Sequence, residues 1–223
     1  HHQPRRQRQM CIRDRVIEVV TPGTITSEKV LDAKKNNYIA SLIQVKDSFG
    51  YSVIDTSTGE FYVGECQSDD LYETLSKYNP SEILLPKSIS YNIQDWFIKL
   101  RPYVTSIEDL HFNYDSAYRN LVGHFKVNSL KGFGCEHLSN GIIAAGGLYL
   151  YLKNNLSKNV NHLKRISPVN DTGFMGLDGY TIRNLEVFDS ISSHNINGTL
   201  INCIDTTMTS GGGRLLYKWL RNP

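Results

Sequence analysis

The sequence predicts a mixed α/β fold, and three observations lead to that prediction. Three segments rich in β-branched and aromatic residues are separated by short polar links, at residues 38–45, 51–55 and 60–65. The apolar spacing then changes to a helical repeat, with Leu71, Leu75 and Tyr78 on one face. A short apolar run at residues 83–85 next predicts a buried strand. Strands and helices therefore alternate along the chain.

The first three strands are expected to form an antiparallel meander. The links at residues 47–50 and 56–59 are too short for a crossover connection, which parallel strands would require. Upstream of them, residues 21–23 have the composition of a turn, since proline fixes φ and glycine tolerates positive φ. Ser27 and Glu28 are placed to begin a short helix after this turn.

The next elements continue the alternation of helix and strand. Ser68 or Asp69 is the predicted cap of the helix that carries Leu71, and Pro80 ends that helix. A second helix is predicted from four apolar residues that share one face: Ile93, Trp96, Phe97 and Leu100. Residues 103–107 predict a fifth strand.

Helices dominate the remainder of the predicted structure. They are expected at residues 116–125, 138–153, 181–188 and 213–220, and residues 154–161 have the composition of a linker. The second of these helices has an apolar stripe that predicts core packing: Leu138, Ile142, Ala145, Tyr149 and Leu152. The last helix presents four apolar residues whose packing partners we expect further along a longer chain: Leu215, Leu216, Trp219 and Leu220.

Composition excludes several classes of protein. The chain has 223 residues, 40% hydrophobic and 21% charged, as in ordinary globular proteins. The apolar stretch at residues 142–152 is broken by Gly146 and Gly147 and is shorter than the ~20 residues of a membrane span. Four scattered cysteines form no Cys-x-x-Cys pair, which argues against a zinc site or a disulfide framework. A cytoplasmic location is the expectation.

The basic character of the chain comes from its first 15 residues. This segment has five arginines and Asp14, a formal charge of +4, so the +2 of the whole chain leaves −2 for the rest. It lacks the apolar run of a signal peptide and the amphipathic pattern of a transit peptide. We interpret residues 1–15 as a disordered leader without a function of its own.

Two spaced motifs near the end of the sequence carry a family resemblance. The first contains Leu177, Asp178, Thr181, Arg183, Asn184, Leu185 and Glu186. The second contains Asp205, Thr207, Thr209, Gly212, Arg214, Leu216, Trp219, Leu220 and Pro223. Together they resemble the opening of the core domain in MutS-type DNA mismatch repair proteins. Residues 19–31 and 50–65 are similar, in the same order, to the link into that family's connector domain and to its first strands.

The resemblance implies a domain organisation. Residues 16–36 would be the linker into the connector, and residues 37–155 a ribonuclease H-like connector domain flanked by helices. Residues 156–223 would be the truncated beginning of an all-α core, or lever, domain. The phosphate-loop motif of the family's ATPase is missing, as is its mismatch-reading domain. We therefore expect an interior fragment of the longer protein.

The resemblance implies that this fragment transmits changes between the DNA-binding and ATPase regions of the longer protein. Complete family members are dimeric ATPases that bind ATP and Mg²⁺, clamp mismatched duplex DNA and recruit a MutL-type partner. The fragment would couple the DNA-binding and ATPase regions, with residues 154–161 as the joint, and would offer a docking surface to the MutL-type protein. No cofactor is expected in the fragment itself, and its −2 charge does not favour direct duplex binding.

Asp55 is the strongest candidate for chemistry, because ribonuclease H-like nucleases place a metal-binding carboxylate at the end of a strand. A two-metal site needs several converging carboxylates, and only Glu60 and Glu65 lie nearby in the sequence. We favour the interpretation that Asp55 accepts backbone hydrogen bonds in the Asp-Thr-Ser-Thr-Gly turn. No residue is assigned a catalytic, cofactor-binding or metal-binding role.

Other candidates also have structural interpretations. The Ser-Gly-Gly-Gly-Arg segment at residues 210–214 predicts a helix start capped by Thr209 or Ser210, although such a segment can also bind an anion. The arginines of the two motifs, Arg183 and Arg214, are expected to pair with Asp178, Glu186 or Asp205 rather than with DNA. The three histidines that follow the predicted sheet are expected at the surface or satisfied in the core: His111, His124 and His137.

Two other functions remain open at the level of sequence. One is a stand-alone ribonuclease H-like nuclease, which a metal-dependent cleavage assay would reveal. The other is a protein-interaction module without a role in repair, which a binding assay with a MutL-type protein would separate from our preferred interpretation.

Overall fold

The computed structural model describes residues 21–24, 32–89, 102–155, 160–170, 173–192 and 195–223. Four predictions concern residues outside these ranges. They are the leader at residues 1–15, the helix start at Ser27, the helix that carries Trp96, and the central part of the linker at residues 154–161.

A six-stranded mixed sheet forms the centre of the fold. Its strands are β1 (Tyr38–Val45), β2 (Ser48–Asp55), β3 (Glu60–Gln67), β4 (Glu82–Pro86), β5 (Tyr103–Ile107) and β6 (Ser167–Pro168). The spatial order is β5-β4-β1-β2-β3-β6. The first three strands pair antiparallel, and β4 and β5 continue the sheet in parallel from β1. The short strand β6 pairs in parallel with the far side of β3.

Six α-helices accompany the sheet within the described residues. They are α1 (Leu71–Tyr78), α2 (Tyr114–Phe125), α3 (Ser139–Asn155), α4 (Gly179–Asn184), α5 (Leu200–Ile204) and α6 (Ser210–Arg221). Three short 3-10 turns lie between them, at Asp109–His111, Leu130–Phe133 and Val160–His162. This mixture of strands and helices confirms the predicted α/β class.

The predicted meander is confirmed, but its first turn lies elsewhere than expected. The prediction puts the turn at residues 47–50, whereas β2 already begins at Ser48, which pairs with Val45. The connection consists of Lys46 and Asp47 alone, and Lys46 adopts a φ of 56°. Because no glycine stands at that position, the left-handed turn residue has no signal in the sequence.

Several helix boundaries also differ from the predictions, and two of these differences have a visible cause. The N-cap of α1 is Asp70, whose side chain makes no capping hydrogen bond, and the Ser68 hydroxyl instead donates to the carbonyl of Asp47. The helix predicted at residues 181–188 ends at Asn184. It stops there because Glu186 takes a φ of 47°, which a continuing helix does not allow.

The sheet buries apolar side chains on both faces. Successive residues of a strand point to opposite sides, so Ile39 and Ala40 join different clusters. One face is covered by α3, with α2 packed against it; the predicted stripe on α3 is buried there, and Leu138 is partly buried. The other face is covered by α1 through Leu71 and Leu75.

Helix α3 lies very close to the strands because glycines stand at the contacts. A Cβ atom at Gly50 would lie 2.2 Å from the backbone carbon of Asn140, and one at Gly141 would lie 2.7 Å from Val63 Cγ2. The Glu65 carboxylate of β3 accepts hydrogen bonds from the Asn140 and Gly141 amides, at 2.7 and 3.3 Å. The start of α3 is therefore held by an acidic side chain of the sheet, which complements the helix dipole.

The last three helices form a smaller cluster beside the sheet. Its buried residues are Val187, Phe188, Ile201 and Tyr217. On α6, Leu216 and Leu220 pack partly against this cluster, whereas Leu215 and Trp219 are 46% and 61% exposed. The expectation that this helix presents apolar surface is confirmed for those two residues. Among the described residues, no helix has both the length and the apolar content needed to cross a membrane.

Gly146 provides a test of the close packing between α2 and α3. A Cβ atom there would lie 2.2 Å from the Cβ of Ala117, so we expect Gly146→Ala to lower the free energy of unfolding by about 1–3 kcal/mol. A Cβ atom added to Gly123 on α2 would meet no heavy atom within 4 Å, and Gly123→Ala should raise stability by about 0.4–1 kcal/mol. Urea denaturation of both variants measures the difference. Equal effects of the two substitutions would contradict this explanation of the packing.

Candidate functional site

The Asp55 carboxylate is fully buried and already engaged by hydrogen bonds. Its Oδ1 accepts from the Ser57 amide and hydroxyl, at 2.7 and 2.6 Å, and from the Thr58 amide at 3.3 Å. Its Oδ2 accepts from the Asn36 side chain at 2.7 Å. The predicted role of Asp55 as an acceptor in the Asp-Thr-Ser-Thr-Gly turn is therefore confirmed by geometry.

The two other acidic candidates serve different parts of the structure. Glu60 accepts a hydrogen bond from the Tyr38 hydroxyl at 2.6 Å, while Glu65 caps the start of α3. Burial and the Glu60 carboxylate raise the pKa of Tyr38, so this hydroxyl keeps its proton and remains a donor. Within the described ranges, no group of three His, Cys, Asp or Glu residues is arranged to hold a metal ion.

A fully buried carboxylate, Glu82 at the start of β4, joins three separate parts of the chain. Its Oε1 accepts from the hydroxyls of Thr105 and Tyr151, at 2.8 and 2.7 Å. Its Oε2 accepts from the Thr21 hydroxyl and from the Gly23 amide, the latter at 3.0 Å. Three hydroxyl groups and one amide therefore donate hydrogen bonds to the Glu82 carboxylate in place of a cationic partner.

The glycine of the turn at residues 21–24 allows this contact. A Cβ atom on Gly23 would lie 2.8 Å from the Cβ of Ile39 and 2.9 Å from Glu82 Oε2. Burial and the neighbouring Glu82 carboxylate raise the pKa of Tyr151 to about 12, so its hydroxyl stays protonated. The segment before the sheet is thus fastened to β4, β5 and α3 through one carboxylate.

The C-terminal helices are attached to the segment before β1 by an ion pair. Lys34 Nζ lies 2.9 Å from Asp205 Oδ2 and donates to the Thr207 carbonyl at 3.0 Å. Asp205 Oδ1 also accepts from the Thr207 hydroxyl and amide. Hydrogen bonds from Thr207 and Lys34 lower the pKa of Asp205 to about 2, so this carboxylate is ionised at neutral pH.

A second attachment joins α6 to β3. Lys218 Nζ donates to the Tyr62 hydroxyl at 2.9 Å, lies 5.3 Å from the centre of that ring and is 3.9 Å from Glu60 Oε1. The side chain of Lys218 remains about half exposed. This contact depends on the aromatic face as well as on the carboxylate.

Arg221 makes a third attachment, to the end of α1. Its Nη1 donates to the carbonyls of Ser76 and Lys77, at 2.9 and 3.4 Å, and its guanidinium lies 4.6 Å from the centre of the Phe188 ring. These carbonyls belong to the last turn of α1, where the helix dipole favours a cation. Burial lowers the pKa of Arg221, and no described carboxylate lies within ion-pair distance.

A cavity of about 480 Å³ lies beside the Lys218 and Arg221 contacts. It is lined by the sheet side at Tyr38 and Tyr62 and by α6 at Lys218 and Arg221. The cavity therefore lies at the contact between the sheet and the C-terminal helices.

The predicted pairing of the two motif arginines with carboxylates is wrong. Arg214 Nη1 donates to the Ala33 carbonyl at 2.6 Å, and the exposed Arg183 makes no ion pair with a described residue. The acidic residues proposed as partners are used elsewhere. Asp178 caps α4, Glu186 accepts from the Ile191 amide, and Asp205 pairs with Lys34.

The predicted cap of the last helix is confirmed. Thr209 Oγ1 accepts a hydrogen bond from the Gly212 amide at 3.1 Å, and α6 begins at Ser210. A Cβ atom on Gly213 would lie 2.6 Å from the Lys34 side chain, so this glycine allows the close approach that the ion pair needs. Of the three histidines, His124 is satisfied by the Leu163 carbonyl at 2.7 Å and His137 is exposed.

The sequence did not single out the residues that join the parts of the chain. Glu82 had a weak signal, as an isolated acid at the edge of a buried apolar strand. Lys34 and Arg221 had none, because their partners lie 171 and 145 residues away.

Comparisons with known proteins cover both halves of the chain. Residues 37–164 match the family model described as MutS domain II, and residues 180–223 match that of MutS domain III. Similar curated proteins are named DNA mismatch repair protein MutS, from Halothermothrix orenii, Flavobacterium johnsoniae and Cytophaga hutchinsonii. They are 37%, 38% and 39% identical over 219, 208 and 209 residues. The alignments cover 93% of this chain and 24% of each relative, so the chain spans about a quarter of their length.

A solved structure described as T. thermophilus RuvC in complex with Holliday junction substrate also shows some similarity. The identity is 9% and the TM-score 0.34, with 53% of this chain and 96% of that chain covered. This likeness is too small to support an argument about function.

The fastening of residues 21–24 can be tested through Tyr151. Tyr151→Phe removes one donor from the buried Glu82 carboxylate, and we expect it to lower the free energy of unfolding by about 1.5–3 kcal/mol. Tyr149 on the same helix is also buried, but its hydroxyl makes no hydrogen bond to a described residue. Tyr149→Phe should therefore change stability by less than about 1 kcal/mol. Denaturant titration of both variants gives the comparison, and a larger loss for Tyr149→Phe would refute the proposed importance of the Glu82 contact.

Proposed function

Because the chain belongs to the MutS family of DNA mismatch repair proteins, we propose that it is a relay segment of such a protein and has no reaction centre of its own. Its sheet domain would be the ribonuclease H-like connector, and its C-terminal helices the beginning of an all-α core domain. The relay would couple a DNA-binding region of the longer protein to its ATPase region. The matched regions correspond to domains II and III, and not to an ATPase domain.

One observation carries the proposal: polar contacts fasten the two matched regions together at separate points. Lys218 reaches Tyr62 on β3, and Arg221 reaches the end of α1. Lys34, just before the first matched region, reaches Asp205 in the second. A displacement of the C-terminal helices would therefore disturb the sheet, α1 and the preceding segment together, as a relay requires.

The contacts of the acidic side chains support transmission over catalysis. Asp55, the strongest candidate for nuclease chemistry, has both oxygens engaged by protein donors. Glu65 is committed to the start of α3. Recruiting these carboxylates to two metal ions would break the turn and the helix cap that they stabilise.

The proposed relay needs a joint between the two matched regions. The sequence suggested residues 154–161, but α3 continues to Asn155, and Val160 is buried in the main core cluster. We place the mechanical joint at the contacts of Lys34, Lys218 and Arg221 instead. These contacts connect elements that are distant in sequence, and Lys218 and Arg221 also line the cavity.

For the longer protein we propose the activities that the family implies. It would bind mismatched duplex DNA and ATP with Mg²⁺ through regions outside this chain, and it would act as a dimer in the cytoplasm. The sheet domain would provide a docking surface for a MutL-type protein. What supports these proposals is family membership.

The relay can be tested in a chimera. In the Cytophaga hutchinsonii relative, the matched part is replaced by residues 37–223 of this chain. A lysine is also introduced at the position that aligns with Lys34. The affinity for mismatched DNA is measured with and without ATP. We expect the chimera to show a difference in affinity of about fivefold or more, in the range of ordinary allosteric coupling. The combined Lys34→Ala, Lys218→Ala and Arg221→Ala variant should retain DNA binding and ATP hydrolysis but lose most of that difference.

A control with the same change of charge separates coupling from general electrostatics. Lys131→Ala, Lys164→Ala and Arg119→Ala remove two lysines and one arginine from exposed positions elsewhere on the sheet domain. The control should keep the full effect of ATP on DNA affinity. If both combined variants keep it, the contacts do not act as a relay.

Docking of the MutL-type partner has its own measurement. We expect the immobilised 223-residue chain to bind a purified MutL-type protein saturably in an interferometry assay. Heat-denatured chain on the sensor serves as the control. Equal signals from native and denatured chain would remove the docking role from this segment while leaving the relay open.

A further inference from the structure

The cavity between the sheet and α6 has the size of a small-molecule site. Its volume of about 480 Å³ is within the usual range of about 300–1,000 Å³ for ligand pockets. Aromatic and cationic side chains dominate its lining, and Asp189 is the one acidic residue among the described residues that line it. The contacts already described engage some of these side chains. The cavity lining still has a net positive charge.

Arg221 has hydrogen-bond donors that its protein contacts do not use. Charges removed from water are ordinarily paired, yet the close described partners of this partly buried guanidinium are two carbonyl oxygens and an aromatic face. The Asp189 carboxylate acts on it only at a distance longer than an ion pair. Both hydrogen bonds use Nη1. Its Nε and Nη2 groups make no hydrogen bond to a described residue. Neither atom is among the fully buried atoms that have no partner, so both are accessible to solvent. They remain available to a ligand in the cavity.

Two lysines add donors to the same cavity. Lys218 uses its ammonium group for Tyr62 and a long contact with Glu60, which leaves donor capacity on a half-exposed side chain. Lys35 lies 5.5 Å from the centre of the Tyr217 ring and makes no ion pair with a described carboxylate. Ammonium and guanidinium groups together are suited to bind a phosphate.

The aromatic lining favours a ligand that also carries a flat ring. Trp219 and Phe174 line the cavity and are 61% and 57% exposed. Neither ring has a stacking partner among the described residues. Bases stack favourably on aromatic side chains, so these rings would stabilise a bound base.

We propose that this cavity binds a mononucleotide, with its phosphate among Arg221, Lys218 and Lys35 and its base against Trp219 or Phe174. The inference does not rest on the relay function, because it concerns occupancy of the cavity by a free ligand. It also differs from a phosphate-loop site, since the donors here are side chains around a cavity and not backbone amides of a glycine loop.

Fluorescence of Trp219 provides the test. The chain has two tryptophans, so the Trp96→Phe variant leaves Trp219 as the one indole reporter. The full chain carrying this substitution is titrated with adenosine monophosphate, and separately with adenosine and with inorganic phosphate. We expect saturable quenching by adenosine monophosphate at micromolar to millimolar concentration. Adenosine alone and phosphate alone should each bind at least about tenfold more weakly, because each lacks one of the two contacts.

Variants then locate the site. Arg221→Gln and Lys218→Gln should each weaken binding of adenosine monophosphate by about three- to tenfold, as expected for loss of a charged hydrogen bond. Arg183→Gln removes the same charge from an exposed position outside the cavity lining and should leave the affinity unchanged. Since Lys218 is exposed, its variant keeps the test valid even if Arg221→Gln fails to fold.

Three outcomes would overturn the proposal. They are the absence of saturable quenching by adenosine monophosphate, equal affinities for inorganic phosphate and the nucleotide, and equal effects of Lys218→Gln and Arg183→Gln. The first would leave the cations as purely structural contacts of α6. The coupling measured in the chimera is independent of each of these results.

Discussion

The other features of the structure depend on the close packing of helix α3 on the central strands. Two glycines, Gly50 on β2 and Gly141 on the helix, remove the side chains that would otherwise separate the two layers. This proximity brings the first amides of α3 to Glu65 and, near the other end of the helix, the Tyr151 hydroxyl to Glu82. The helix thus connects Glu65, which caps its start, to Glu82, which holds residues 21–24.

The contacts between the sheet and the C-terminal helices share a physical character. Cations of one part reach carbonyls, hydroxyls and aromatic faces of the other, and Lys34 with Asp205 is a close ion pair among them. Carbonyl acceptors at a helix end can hold an arginine without presenting a formal charge that would need desolvation. Such an arrangement allows the two parts to meet at several points without burying many opposite charges.

Much of the sheet could be predicted because local patterns determine it. The bounds of β1 and β5 follow from runs of β-branched and aromatic residues, and the turn around Asp55 follows from its own sequence. Gly50 misleads the prediction, because it has the composition of a turn residue but serves the contact with Asn140. A glycine needed for close approach and one needed for a turn look the same in the sequence.

The joining residues could not be predicted, for a different reason. Arg214 and Arg221 bind main-chain carbonyls, and a carbonyl acceptor has no side-chain signature in the sequence. The carboxylates expected as partners of Arg183 and Arg214 are engaged elsewhere, as Asp178 is at the start of α4. Long-range pairing of this kind becomes visible only when the fold has brought the partners together.

The four donors around Glu82 have a consequence for the order in which the protein assembles. A carboxylate buried at the start of a strand loses its water only when replacement donors are present, and two of the four come from Thr21 and Gly23. Removing that short segment would leave Glu82 Oε2 without its two protein donors. The stretch at residues 21–24 and the sheet should therefore open and close as a single cooperative unit, although the segment belongs to no strand or helix.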